Sequence, residues 1–174
     1  MRKCSQRGFT IVELIVLIVI IGILGSVAAG RFFGPSSFDG RTYADQFSSM
    51  LRYGQKVAIA QNRNVYVRVN ASGVALCYLA GCAAGARVLA PGGGNSGSAA
   101  TAAACADSTW ACEAPPAGVT VGATTQFYFD PVGKPFALAD VPPTPSSTFA
   151  GLTVAIGGST ARSIVVERET GYVH

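Results

Sequence analysis

Histidine is almost absent from this chain of 174 residues, since the one histidine is His174 at the last position. A Ser–His–Asp triad and a histidine-rich metal site are therefore excluded. Charged residues make up only 13% of the chain, and it contains no P-loop motif for nucleotide phosphates. Glu167 and Glu169 alternate with Arg168 and Thr170 along a predicted strand, which is typical of a solvated face rather than an acid/base pair. We expect neither an enzyme nor a bound cofactor.

Charge is scarce above all in one stretch, residues 8–33, which read GFTIVELIVLIVIIGILGSVAAGRFF. Glu13 is the only ionisable residue between Gly8 and Gly30. As one helix rising about 1.5 Å per residue, Phe9–Phe33 would be about 37 Å long, enough to cross a bilayer core of about 30 Å. A charge inside such a span costs roughly 2.5–3.5 kcal/mol, which makes Glu13 a candidate functional residue.

Two ordinary interpretations of this N-terminus are open. One is a secretory signal with a basic region at 2–7 and a cleavage site at Ser26-Val27-Ala28, although the apolar run exceeds the usual length of about 7–15 residues. The other is a plain transmembrane anchor that tolerates an acid near its cytoplasmic end. Neither interpretation explains why a carboxylate stands five residues after the Gly8-Phe9 junction.

The net charge of +4 lies mostly in the first eight residues, which carry three of the thirteen cations and no acid. The rest of the chain has ten cations and nine acids, so its attraction for phosphate is weak. A basic leader before an apolar helix favours retention of the leader on the cytoplasmic side.

A third interpretation rests on a resemblance. The segment Arg7-Gly8-Phe9-Thr10-Ile11-Val12-Glu13 resembles the class III signal of type IV pilins and type II secretion pseudopilins. In that family a prepilin peptidase cuts after the glycine and methylates the new N-terminus. The resemblance implies a leader at 1–8, cleavage between Gly8 and Phe9, and an N-methylated Phe9. It also implies that helix 9–33 anchors the chain in the inner membrane and later lies in a filament core.

In such a filament, Glu13 would neutralise the Phe9 ammonium of a neighbouring subunit and set the axial register. The chain departs from many major pilins at Gly30, which stands where they have proline. Glycine lowers helix stability by about 1 kcal/mol relative to alanine, so local melting on polymerisation is compatible with the sequence. A fixed kink does not follow, and close helix packing through small residues explains the glycines equally well.

Four cysteines follow the apolar segment, and they allow three pairings. The spacings favour two local disulfides, Cys77–Cys82 and Cys105–Cys112, and hence an oxidising compartment. Free buried thiols and a metal site are the alternatives, but no CxxC motif is present. Trp110, the only tryptophan, lies between the second pair of cysteines and either packs on the domain or is an exposed anchor for a ligand.

Residues 34–174 are predicted to form one β-rich domain of the α+β class. After a break at Gly34-Pro35, apolar residues recur at helical spacing over about 42–62, with Asp39 or Thr42 as a cap. Alternating strands follow around a hairpin turn at 70–73 and a turn at 130–135, with closing strands near the C-terminus. A weaker strand is expected at 87–90, while 91–106 and 139–149 are expected to be exposed loops. The predicted architecture is one amphipathic helix on a mostly antiparallel sheet, a pilin-like fold.

The helix sequence 44–60, the Phe129-Asp130-Pro131-x-Gly133-Lys134-Pro135 turn and the terminal Thr170-Gly171-Tyr172-Val173 resemble the GspH/FimT group of minor pilins. Within this group, the sequence of these segments most resembles MshC-type minor pilins of mannose-sensitive haemagglutinin (MSHA) pili. The resemblance implies a scarce structural subunit that starts or tips a pilus and is located in the inner membrane, then in the filament. Its implied partners are other pilins, the prepilin peptidase and the inner-membrane assembly platform.

Two other functions stay open at this point. A type II secretion pseudopilin would have the same N-terminal chemistry. Some FimT-like pilins bind DNA through basic C-terminal residues, which are Arg162 and Arg168 here, but Glu167 and Glu169 stand beside them and weaken the attraction for phosphate. A surface-binding minor pilin is the related alternative.

Overall fold

The first helix, α1, runs from Ile11 to Phe32 and is apolar along its length. The structure is a computed structural model of the chain, and it describes residues 10–32, 36–141, 146–158 and 161–174. The expected leader at 1–8, the cleavage junction and the break at Gly34-Pro35 lie outside these residues. The chain divides into two units, one ending at Pro35 and the other comprising Ser36–His174, and each is described by itself.

Within its described residues, the second unit contains two further α-helices and eight strands. The helices are α2 (Ser36–Gln61) and the short α3 (Ala99–Cys105). The strands are β1 (Val65–Asn70), β2 (Gly73–Cys77), β3 (Cys112–Glu113), β4 (Thr120–Val121), β5 (Thr125–Phe129), β6 (Pro135–Ala137), β7 (Leu152–Gly157) and β8 (Arg162–Val166). The α+β class and the pilin-like arrangement of helix and antiparallel strands are as expected from the sequence.

The strands form two antiparallel sheets rather than the single sheet expected. The larger has the order β3-β2-β1-β5-β6 and the smaller β4-β7-β8. Both sheets contribute to one apolar core around α2, in which Val67 of β1, Val154 of β7 and Ile164 of β8 are buried.

Helix α2 packs on the sheets through the stripe that the sequence predicts. Phe47 and Leu51 are fully buried, and Gly54 lets the helix approach β2 so closely that a Cβ there would lie 2.9 Å from the Leu76 side chain. The helix begins at Ser36, six residues before the expected start, so Thr42 is not its cap. Asp39 lies in the first turn, where the positive end of the helix dipole favours an acid.

Two expectations for the middle of the domain were wrong. Residues 87–90 form isolated bridges, Cys77 to Arg87 and Leu89 to Trp110, rather than a strand. The alanine-rich part of 91–106, expected as an exposed loop, forms α3. Ser98 caps this helix by accepting a hydrogen bond from the Thr101 backbone N–H at 3.2 Å.

The buried carboxylate of Glu113 holds α3 against the sheet. It accepts hydrogen bonds from the Ser96 backbone N–H at 2.7 Å and from the hydroxyl groups of Ser96 and Thr101. Glu113 and Thr101 are both buried. These bonds, with the disulfide at Cys105, offset the ordering entropy that argued for a loop.

The loop after β6 is held by Asp140 and gives a pH-dependent prediction. Its carboxylate accepts hydrogen bonds from the Thr148 hydroxyl at 2.7 Å, the Thr148 N–H at 2.8 Å and the Ala137 N–H at 3.0 Å. These bonds, that of the Thr148 hydroxyl first, lower the pKa of Asp140 below its ordinary value. The carboxylate therefore stabilises the fold above the ordinary aspartate pKa, and the contribution is lost as pH falls through the depressed folded-state value.

We expect Asp140→Asn to lower the melting temperature at pH 7 because an amide nitrogen cannot accept these bonds. The difference from the wild type should narrow as pH falls from 7 through the lowered pKa of Asp140, where the wild-type carboxyl takes up its proton. Thermal melts of both proteins across this range test the prediction, with the exposed Asp45→Asn as a control for loss of one charge. A difference that does not depend on pH would contradict it.

Candidate functional site

The N-terminal turn of α1 is built around Thr10 and Glu13. The Thr10 hydroxyl oxygen accepts a hydrogen bond from the Glu13 backbone N–H at 3.3 Å, and its carbonyl accepts one from the Leu14 N–H at 3.2 Å. Thr-x-x-Glu is the spacing of a capping box, and its N-cap half is present here. Glu13 thus lies in the first helical turn, where the helix dipole favours a negative charge. The Thr-x-x-Glu spacing is visible in the sequence and is a signal for the start of a helix at this position.

The surface of α1 is apolar on every side. Eight successive residues from Leu14 to Ile21 each expose between 43% and 67% of their surface. Since successive residues of a helix turn by about 100°, these side chains surround the axis. A helix that is apolar all round is stable where other apolar groups cover it. Gly22 and Gly25 lie on the same helix, with no atom within 4 Å of where their Cβ would be.

No helix in the described parts of the chain combines the length and hydropathy of a membrane span.

The four downstream cysteines form the two local disulfides Cys77–Cys82 and Cys105–Cys112. Both lie in a single buried cluster with Trp110 and Ala75. The Trp110 side chain is 3% exposed, and its indole N–H donates to the Leu76 carbonyl at 2.8 Å. Trp110 is therefore packed into the domain rather than exposed as an anchor.

Two arginines flank the Trp110 ring at different distances. The Arg87 guanidinium carbon lies 4.4 Å from the ring centroid and that of Arg68 lies 5.5 Å from it. Arg87 also forms an ion pair with Asp107 at 3.2 Å. Hydrogen bonds from Thr109, together with this pairing, lower the pKa of Asp107. Sequence reasoning missed this cluster because its members are far apart in the chain.

The C-terminal basic residues occupy separate places. Arg162 begins β8, and Arg168 lies beyond its end in a turn, so Glu167 and Glu169 do not line a strand as expected. Arg168 pairs with Glu169 at 3.1 Å, and Lys134 pairs with the same carboxylate at 3.2 Å. These contacts, that of Lys134 first, lower the pKa of Glu169. The charge of Arg168 is thereby compensated.

Arg162 lines a cavity of about 300 Å³ between α2 and β8. Arg52 and His174 also line it, together with the acid Asp45. Arg52 donates to the Val173 carbonyl at 2.9 and 3.2 Å and so fixes the C-terminal segment. Arg168, the other possible DNA-binding residue, does not line this cavity. Among the described residues, no group of three or more His, Cys, Asp or Glu is placed to hold a metal ion.

The N-terminal segment that contains Glu13 matches the model of a known family. Residues 3–29 match the family model for the prokaryotic N-terminal methylation motif. The chain carries the signal of the type IV pilin family. The match spans Glu13 and the greater part of α1. No curated protein sequence matches the chain.

Among solved structures, the chain is similar to the type IV minor pilin FimU of Pseudomonas aeruginosa strain PAO1. The two share 16% sequence identity with a TM-score of 0.47, over 77% of this chain and 85% of the other.

Proposed function

We propose that this pilin-family chain is a minor pilin, a structural subunit that helps to start or tip a type IV pilus after cleavage between Gly8 and Phe9. The observation that carries the proposal is helix α1, whose apolar side chains are exposed on every side and whose single carboxylate lies in its first turn. Such a helix needs an apolar environment. The inner membrane supplies one before assembly, and the helices of neighbouring subunits supply one after it.

Cleavage before the apolar helix, rather than after it, explains why this segment is retained. The cut leaves Phe9 as the first residue, so that the new N-terminal ammonium group lies four residues before Glu13 in the sequence. In a filament core with little water, the Glu13 carboxylate would pair with the Phe9 ammonium of a neighbouring subunit. Such a pair mainly offsets the cost of desolvating both charges, so it sets register rather than adding large net stability.

The assignment as a minor subunit rests on the resemblance of the domain to the GspH/FimT group. Within this proposal the partners are other pilins, the prepilin peptidase, the inner membrane and its assembly platform. Within that group, the sequence most resembles the MshC-type MSHA pilin. The disulfides support a location of the domain in the periplasm or at the cell surface, because such bonds persist in oxidising compartments.

Deletion of the gene tests the role in starting filaments. We expect the number of pili per cell to fall severalfold while the major pilin stays in the inner membrane, because fewer filaments are initiated. Electron microscopy counts and immunoblots of membrane fractions measure both quantities, with the wild-type gene restored as a control. A normal number of pili would contradict a priming role. A loss of protein secretion with normal pili would instead identify a type II secretion pseudopilin.

A further inference from the structure

Arg68 is an uncompensated cation on the outer face of the larger sheet. The alternation along β1 buries its neighbours Val67 and Val69 and turns Arg68 away from the core, where it is half-buried. Its cross-strand partners are Ala75 on β2 and Gln126 on β5, neither of which is charged. Within the described parts of the chain, no carboxylate lies within ion-pairing distance of Arg68.

Two cavities are lined by both Arg68 and Asn70. The larger, about 380 Å³, is also lined by Val69, Thr124, Thr125, Gln126 and Leu138. The smaller, about 160 Å³, extends toward β2 and α3, past Ser72, Ala75 and Ala104. No acidic side chain lines either cavity. A cation that lines two cavities with no acid in their lining creates a local positive potential that attracts an anion.

Packing against Trp110 does not account for this arginine. Arg87 already lies closer to the indole ring, at 4.4 Å against 5.5 Å for Arg68, and has its own acid in Asp107. Arg68 therefore keeps its planar set of N–H donors for another group. Such a donor set fits a carboxylate through two parallel hydrogen bonds.

We propose that Arg68 anchors a binding site for an acidic carbohydrate, a sugar ring that carries a carboxylate. The carboxylate would sit on the guanidinium and the ring would enter the larger cavity. There the amide of Asn70 and the hydroxyl groups of Thr124 and Thr125 supply donors and acceptors for sugar hydroxyls. Gln126 is oriented by a hydrogen bond to the Ala80 carbonyl at 3.2 Å, and the exposed Leu138 offers an apolar edge. The volume is near the lower end of ligand sites, about 300–1,000 Å³, and fits one or two rings.

The position of Arg68 argues against the other anionic ligands. An extended acidic peptide is usually recognised by adding a strand to a free sheet edge. Arg68 lies on β1, which is paired on both sides by β2 and β5, so no backbone groups are available there. Single-stranded nucleic acid needs a groove with several cations, and Arg68 is the only cation that lines these two cavities.

Calorimetric titration of the full-length protein in a polyoxyethylene detergent with digalacturonic acid tests the proposal. We expect weak, salt-sensitive binding and no binding of the matching neutral disaccharide. Arg68→Gln should weaken the affinity about tenfold or more, because charge-assisted hydrogen bonds are lost. Arg41→Gln removes an exposed charge from α2 and should leave the affinity unchanged. Emission from Trp110, next to Arg68, gives a second readout of occupancy and of folding.

If Arg68→Gln does not fold, Arg68→Lys keeps the charge without the paired donors and should bind more weakly than the wild type. The proposal is overturned if the wild type does not bind the acid, or if the neutral disaccharide binds equally well. Unchanged affinity in the folded Arg68 variant also overturns it. Short single-stranded DNA and an acidic tetrapeptide are titrated in parallel, and tighter Arg68-dependent binding of either one would replace the carbohydrate.

Discussion

We expect Glu13→Ala to be cleaved and methylated like the wild type but to be missing from filaments. The substitution leaves the junction residues Gly8 and Phe9 intact, so the peptidase substrate is preserved. It removes the only acid within the apolar segment, and the Phe9 ammonium of a neighbouring subunit would then enter a poorly solvated core without a partner. An unpaired buried charge is strongly destabilising, by about 3–5 kcal/mol.

The matched control separates the charge from the helix cap. The Glu13 carboxylate also lies in the first turn of α1, where it interacts favourably with the helix dipole, so its loss weakens the helix end as well. Thr10→Ala removes the cap at a cost of about 1 kcal/mol but keeps the carboxylate, and we expect it to enter filaments. Immunoblots of sheared pili and membranes measure the distribution. Normal incorporation of Glu13→Ala, or equal exclusion of both variants, would refute the pairing role.

We expect Gly73→Ala to cause the largest loss of stability among small substitutions in the domain. Gly73 starts β2 with φ of +122°, a conformation that residues with a Cβ rarely adopt. A Cβ there would collide with the carbonyl oxygen of Glu113 and lie 2.9 Å from the Ala114 Cα, both backbone atoms of the adjacent segment. Relief would require β3 to move away and would disturb the hydrogen bonds of the buried Glu113.

The expected cost is about 3 kcal/mol or more, since backbone strain and a disrupted buried network add. In a domain of this size, this lowers the melting temperature by about 10 °C. Gly81→Ala is the matched control, because no atom lies within 4 Å of the Cβ it would introduce. Circular dichroism melts of the full-length proteins measure the effect. A change for Gly73→Ala no larger than the control's would show that β3 moves at little cost.

Local patterns were sufficient to predict the hairpins. The hairpin of β1 and β2 follows from alternating apolar residues around Asn70 and Gly73, which are paired at its end. The turn between β5 and β6 follows from Asp130, whose carboxylate accepts hydrogen bonds from the N–H groups of Val132 and Lys134. In both, the residues that decide the structure lie within a few positions of one another.

Structure that depends on distant partners was not predictable in this way. Helix α3 was predicted to be a low-complexity loop. The buried carboxylate of Glu113, which accepts a hydrogen bond from the Thr101 hydroxyl of α3, lies outside the helix in the sequence. The division into two sheets depends on which strands pair, as in β1 with β5 and β4 with β7, and these partners are far apart in the sequence. The site at Arg68 is likewise formed by segments 68–70, 124–126 and 138. By contrast, the N-terminal signal is continuous, so the sequence alone identified it.

The position of the mature N-terminus tests the pilin assignment most directly. Mass spectrometry of the protein purified from membranes of its native host should find Phe9 as the first residue, with one methyl group on its nitrogen and the apolar helix retained. A first residue of Ala29 would identify an ordinary secretory signal cut after Ser26-Val27-Ala28. An intact Met1 with the leader still attached would identify a plain anchor, and either result would contradict assembly through Glu13 and Phe9.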